Sequence, residues 1–408
     1  MAAPPPGRRD LGRQLTGMFR PAGLDLAGVL LAVATPGMMF KQLRLVSGSF
    51  GLFEGLALLA VLILAGQTRG AALWSRTGWP LLLALGGFVL GAGVAFVFFP
   101  DHFNPRDLLA TLFVGLVLAG WLSLGARLDA ALTLLRGLIG LYCLIILIGV
   151  ALASGPLGFL WYKLIVPWRL QGLSDNPNQL ASLCAAGIAL GAIALARRGR
   201  IEAVDAGLLL ATALAGLLSD SVAFIFAATL MPAAALLVWL LWFRRDDPGL
   251  ARARRLFWLS ALMVALLIGF WFGPRLAGAV HELYYGGTGK GVVRFAYWLE
   301  ALRTALHSPL VGFGPGGHIA MAEVPALQEA HNVVLDLALS GGLLSLGAFA
   351  AVAGLAFGRI VQRRSLALLV AGLALVEFGL FQTVIRHAHY WVAWIALMAA
   401  LRNGEAEG

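Results

Sequence analysis

Apolar residues dominate this chain in long, nearly unbroken stretches separated by short polar or basic breaks. About twelve such stretches lie near 24–40, 49–66, 79–99, 107–125, 133–154, 179–196, 203–218, 222–243, 256–272, 340–357, 365–383 and 388–401. A straight helical crossing of a bilayer takes about 20 predominantly apolar residues, so the pattern predicts an all-α, polytopic membrane protein of about 12 transmembrane helices. Neither an internal repeat nor a low-complexity linker divides it, and it reads as one membrane domain. The organisation expected is a tail at 1–23, nine spans over 24–272, a long loop at 273–331, three spans over 332–401 and a short tail at 402–408. Within the loop, Val292 to His307 has an amphipathic helical pattern.

Composition agrees with lipid as the solvent. Of 408 residues, 60% are hydrophobic and 12% charged, against roughly 25% charged in soluble domains. The two cysteines, Cys143 and Cys184, both sit in apolar runs and suggest neither a disulfide framework nor a metal site. A basic N-terminus (Arg8, Arg9, Arg13, Arg20) precedes the first apolar run. No small-residue cleavage site with a soluble domain follows, so that run reads as a retained helix rather than a signal peptide.

The net charge of +10 does not call for nucleic acid, because the charges follow a topology. With the N-terminus inside, the outer segments hold only Lys41, Arg44, Arg106, Lys163, Arg169, Arg275, Lys290, Arg294, Arg303 and Arg386. The remaining Lys and Arg fall on the inner side, which is the positive-inside signature. Three segments are then outside: 155–178, the turn 218–221 and the loop 273–331. A loop that long in so economical a chain suggests function.

Candidate chemistry collects in those segments. In the long loop Arg294 and Trp298 stand four apart, on one helical face. A turn-rich stretch, Pro309 to Gly317, follows, and then His331-Asn332 before the chain re-enters the membrane. A cation, an aromatic plane and an imidazole suit an anionic, lipid-linked sugar: Arg for phosphate oxygens, an aromatic for a sugar face, His for a proton. An interfacial anchor pair would account for Arg294 and Trp298 equally well. In the segment before 178, Asn176-Pro177 reads as a helix start, which leaves Arg169 as either an anchor or a phosphate ligand. Glu377 lies inside an apolar span, where a carboxylate is a functional candidate by default. Pairing with Arg386, His387 or His389 is the structural alternative. Asp336 is five residues from His331, a poor helical spacing for contact. The Gly286 to Gly291 stretch lacks the Walker spacing and reads as loop. No outward carboxylate cluster for a divalent metal is visible, so neither metal nor cofactor is expected, and arginines would stabilise any leaving diphosphate.

Taken in order, these pieces resemble a known family. Val293-Arg294-Phe-Ala-Tyr-Trp298, Ser308-Pro-Leu-Val-Gly312-Phe-Gly314, and Ala330-His331-Asn332-Val-Val-Leu335 through Gly341-Gly342 look like the O-antigen ligase family, which includes related polymerases. Arg169-x-x-Gly172 with Asn176-Pro-Asn178 also matches, so the likeness spans about 165–345. The resemblance implies a bacterial inner-membrane glycosyltransferase, and the charge distribution over about twelve spans puts both termini on the cytoplasmic side. The implied enzyme's partners would be an undecaprenyl diphosphate-linked glycan and a lipid or glycan acceptor, in lipopolysaccharide or surface polysaccharide assembly. Carried over, His331 is the catalytic base and Arg294, with Arg169, binds diphosphate. Trp298, Asn332 and Asn178 are weaker sugar- or lipid-binding candidates, and Arg386 and Glu377 possible accessories. The chain departs from the pattern at Ser221-Val222, where the family has Ser-Arg. Either Arg169 or Arg386 takes that place, or activity is altered. A polymerase joining repeat units, a transporter with Glu377 and the membrane histidines on its path, and a catalytically silent homologue are the alternatives.

Overall fold

A computed structural model describes residues 18, 23–40, 51–68, 78–153, 165–166, 169–174, 176–243, 290–317 and 329–402. The expected span 256–272, the Gly286–Gly289 stretch, the N-terminal basic segment apart from Met18, and much of the long loop lie outside the described residues. What is described is mostly helix, in the order α1 (Leu26–Gly37), α2 (Leu52–Thr68), α3 (Trp79–Phe98), α4 (Pro105–Ser123), α5 (Leu128–Ala153), α6 (Pro177–Arg198) and α7 (Ala203–Leu218). There follow α8 (Val222–Val238), α9 (Lys290–Ala305), α10 (Val333–Arg363), α11 (Leu366–Phe381) and α12 (Ala388–Arg402). Among the described residues five helices are long and apolar enough to cross a membrane, α3, α4, α5, α6 and α10, while α1, α2, α7, α8 and α11 are shorter apolar helices. The only sheet among the described residues is a two-residue hairpin of β1 (Ile165–Val166) and β2 (Arg169–Leu170), with Val166 opposite Arg169.

Local chemistry sets the helix starts. Asp25, Asn104, Asn176, Asn332 and Ser365 each accept a backbone N–H of the first turn, capping α1, α4, α6, α10 and α11. Proline follows directly at α4 and α6, where its missing N–H costs nothing. The core between helices is lined largely by alanine and leucine, with Trp121 fully buried on α4. Its indole N–H donates to Thr35 Oγ1 on α1 at 3.0 Å. The Cys143 and Cys184 sulfurs lie 3.7 Å apart as buried free thiols where α5 meets α6.

One end of the bundle is tied by ion pairs. Arg127, just before α5, pairs with Asp25 at the start of α1, and Arg197 at the end of α6 pairs with Asp129. Asp205 of α7 takes both Arg136 at 2.7 Å and Arg198 at 3.0 Å. Arg363, closing α10, donates to the carbonyls of Ala400 and Leu401 at the end of α12. Helix directions put the starts of α4, α6, α10 and α12 at the opposite end, together with β2. The segments with candidate chemistry therefore share one end.

The stretch 308–317 is built into α10 rather than lying over it. Gly342 has φ 56 and ψ −151 and breaks the helix, a conformation open to glycine because it has no Cβ. The break takes the Leu343 N–H away from its helical acceptor, and it donates instead to the Pro309 carbonyl at 2.8 Å. The Leu339 carbonyl it leaves accepts from Phe313 N–H at 2.6 Å. A broken helix in an apolar surround needs such substitute partners, and the turn-rich stretch supplies them.

Candidate functional site at one end of the bundle

His331 lies in the two-residue bend that leads into α10, with φ 53. That left-handed conformation is uncommon for a residue with a side chain and costs on the order of 1–3 kcal/mol. Three neighbours hold the bend. Trp298 of α9 donates its indole N–H to the Ala330 carbonyl at 2.9 Å, and its ring packs against Phe381 at 5.9 Å. Asp336 Oδ1 accepts the Ala330 N–H at 3.1 Å. Asn332 caps α10 by accepting the N–H groups of Val334 at 3.0 Å and Leu335 at 3.3 Å. The peptide preceding His331 is thus clamped at both its N–H and its carbonyl. The imidazole Nδ1 faces Thr383 Oγ1 at 3.5 Å, a long contact, and the ring is half-buried.

These partners revise several sequence expectations. Trp298 has its polar handle occupied by backbone. Asn332 is a helix cap. Asp336 acts on the histidine through the main chain, one residue earlier than the helical spacing rule considers, because 330–332 is not yet helix. Arg294 lies one turn before Trp298 on α9, about 6 Å back along the axis, and its side chain is outside the described residues.

Arg386 stands next to this bend, in the connection between α11 and α12. It pairs with Asp107 at 2.5 Å and with Glu329. Burial alone would lower its pKa, but Glu329 and Asp107 outweigh that and raise it. Arg386 therefore does not pair with Glu377, contrary to the structural alternative. Nor do the histidines: His389 Nε2 lies 2.8 Å from Ser182 Oγ, and His387 Nδ1 lies 3.0 Å from the same oxygen. Glu377, 6% exposed, has no hydrogen-bond partner for either oxygen among the described residues. Ser182 has one proton to give, so at least one facing imidazole nitrogen carries hydrogen.

Arg169 is held from two sides at the same end. Its Nε donates to the Ser219 carbonyl at 2.9 Å and its Nη2 to Asn178 Oδ1 at 3.0 Å. Asn178 and Ser182 are one turn apart on α6, so Arg169 is linked through α6 to His387 and onward to Arg386. Val222, where the resembled family has arginine, is exposed, and the neighbouring Ser221 hydroxyl is buried with no hydrogen-bond partner among the described residues. Arg169, bound at Ser219, is the described cation beside that position.

Sequence reasoning missed Asp107, Thr383 and Ser182. Asp107 reads as an acidic first-turn residue behind the Asn104-Pro105 cap, and Thr383 and Ser182 read as small polar residues in apolar helices. Only the packing of α4, α6 and the α11–α12 connection brings them to the site. No group of three or more His, Cys, Asp or Glu able to hold a metal ion occurs among the described residues. Compared with known proteins, the chain matches no family model and no curated protein.

Proposed function

We propose that this protein is a multi-pass inner-membrane glycosyltransferase of O-antigen ligase type. In this reading about twelve spans place both termini in the cytoplasm and the His331 end in the periplasm. The protein transfers a glycan from undecaprenyl diphosphate to an acceptor hydroxyl, with inversion and without a metal. The observation that carries the reading is the convergence of three separated motifs on α10 and the bend that leads into it. The indole of Trp298 reaches the carbonyl before His331. The Pro309–Gly317 stretch, in turn, is hydrogen-bonded into the broken helix that His331 precedes. A held, half-buried imidazole at the same end of the bundle as Arg169 and the start of α6 suits a metal-free transfer from a diphosphate.

In the proposed step His331 takes the proton of the acceptor hydroxyl as its oxygen attacks the anomeric carbon. The bond from that carbon to the diphosphate oxygen breaks, and the electron pair leaves with the diphosphate. Arg169 and Arg294 neutralise it, so no separate acid is needed. Arg386 is a poor phosphate ligand, since two carboxylates already occupy it. The transport reading draws on unpartnered Glu377. It would be favoured by paired broken helices in two halves, whereas α10 is the helix with non-helical backbone among the described residues, and its break is filled by 308–317.

A deletion strain tests the assignment. A ligase acts after polymerisation, so its loss leaves long glycans on the lipid carrier and none on the final acceptor. Acceptors bearing single repeat units would assign polymerase instead, and an unchanged gel profile would remove both enzymes in favour of transport or a silent homologue.

A further inference from the structure

Beside His331 a cleft opens between the start of α4, the start of α10 and the α11–α12 connection. It is lined by Asp107, Thr111, Glu329, Asp336, Ser340 and Thr383, with Arg386 at its rim. Its chemistry is the opposite of a phosphate site. Three carboxyl groups face one guanidinium, and that guanidinium is engaged by Asp107 and Glu329. An incoming diphosphate would meet carboxylate oxygens and find no unengaged cation among the described lining residues.

Two polar atoms in this wall lack a well-formed hydrogen bond among the described residues. Thr111, 3% exposed, has no hydrogen-bond partner for its hydroxyl among the described residues. Asp336, 5% exposed, uses Oδ1 on the Ala330 N–H and leaves Oδ2 without a well-formed hydrogen bond among the described residues, with the Thr383 hydroxyl beside its carboxyl group. Thr383, also in the wall, turns its hydroxyl toward His331 Nδ1. Buried polar atoms in folded proteins are nearly always bonded. Here the orphans line a cleft that opens beside the candidate base, and both can accept from O–H groups.

We infer that this cleft is the acceptor subsite, taking the hydroxyl-bearing edge of a neutral, non-phosphorylated sugar whose O–H groups donate to Asp336 Oδ2 and Thr111 Oγ1. The inference rests on the ligase-type reading and adds to it a division of labour. The carboxyl-rich cleft on the α4 side of His331 takes the acceptor. The arginines of β2 and α9 take the donor diphosphate, so the charges keep the two substrates from exchanging places. Thr383, touching both cleft and imidazole, sits where the attacking hydroxyl would pass to the base.

The test uses the full chain in nanodiscs. Binding of the delipidated core oligosaccharide from a lipopolysaccharide that lacks O-antigen is measured by calorimetry without donor. Transfer from undecaprenyl diphosphate-linked glycan is measured separately. Thr111→Val, which keeps side-chain volume, should weaken oligosaccharide binding about 5- to 10-fold, as expected for one lost hydrogen bond. It should raise the acceptor KM by a similar factor while the donor KM stays put. Asp336→Asn, which keeps an oxygen for Ala330, should do the same, and protects the test if the first variant fails to fold. Wild-type binding in both folded variants would overturn the inference, leaving the cleft to water, even if wild-type protein transfers glycan. A donor KM rising with the acceptor KM would overturn it too. Binding that falls in the variants while the wild type transfers nothing would support the subsite and remove the ligase reading.

Discussion

Replacing Trp298 by phenylalanine separates two roles that the sequence leaves joined. A sugar-stacking aromatic would survive the change, since phenylalanine keeps a ring at that position and its contact with Phe381. A clamp on the His331 bend would not, because the indole N–H bonded to the Ala330 carbonyl is lost. One net hydrogen bond contributes about 1 kcal/mol, and a buried carbonyl left unsatisfied costs about 1–3 kcal/mol. The bend already carries on the order of 1–3 kcal/mol of left-handed strain at His331. With the Asp336 bond to Ala330 N–H as the main remaining clamp, withdrawing about 1–2 kcal/mol should lower the productive population roughly 5- to 30-fold. The assay is single-turnover transfer in nanodiscs with both substrates saturating. Trp298→Phe should lose nearly as much rate as Trp298→Ala, with donor and acceptor KM little changed. A Trp298→Phe rate equal to wild type, with Trp298→Ala impaired, would refute the clamp and return Trp298 to sugar stacking.

Two further outcomes follow from the same geometry. Gly312→Ala should destabilise the protein by more than about 2 kcal/mol, since φ is 65 and a Cβ there would come within 2.4 Å of the Leu339 carbonyl oxygen; thermal melting in detergent at wild-type levels would refute the insertion of 308–317 into α10. Transfer should survive EDTA, because the proposed chemistry uses His331 and arginines alone, and loss of activity restored by a divalent ion would expose a metal requirement.

The apolar helices, five of them long enough to cross a membrane, were legible in the sequence because lipid imposes a simple rule: apolar stretches of the right length become helices. The cap at Asn176 was legible for a similarly local reason, an Asx side chain ahead of a helical run, whereas Asn332, singled out as a sugar- or lipid-binding candidate, is also a cap. Arg294, Trp298 and His331 could be singled out by spacing and resemblance, but not what their atoms do. The Trp298 indole is engaged by a carbonyl 32 residues away, and the Arg386 guanidinium by an aspartate 279 residues away. No local pattern encodes such partners. Gly341-Gly342 was visible as a pair, yet its use as a break filled by Pro309 and Phe313 depends on α3, α10 and the 308–317 stretch packing together. The cleft beside His331 was hidden for the same reason: α4, α10 and the α11–α12 connection each contribute one or two ordinary-looking polar residues.

The proposed glycan transfer turns on His331 acting as the base. It is tested most directly by comparing purified wild-type protein with His331→Ala, using undecaprenyl diphosphate-linked glycan and core-bearing acceptor. The wild type should form acceptor-linked glycan, and His331→Ala should lose about 10²- to 10⁴-fold, the contribution typical of a proton-transfer group, while keeping its melting temperature and donor binding. Transfer by His331→Ala at the wild-type rate would contradict the account.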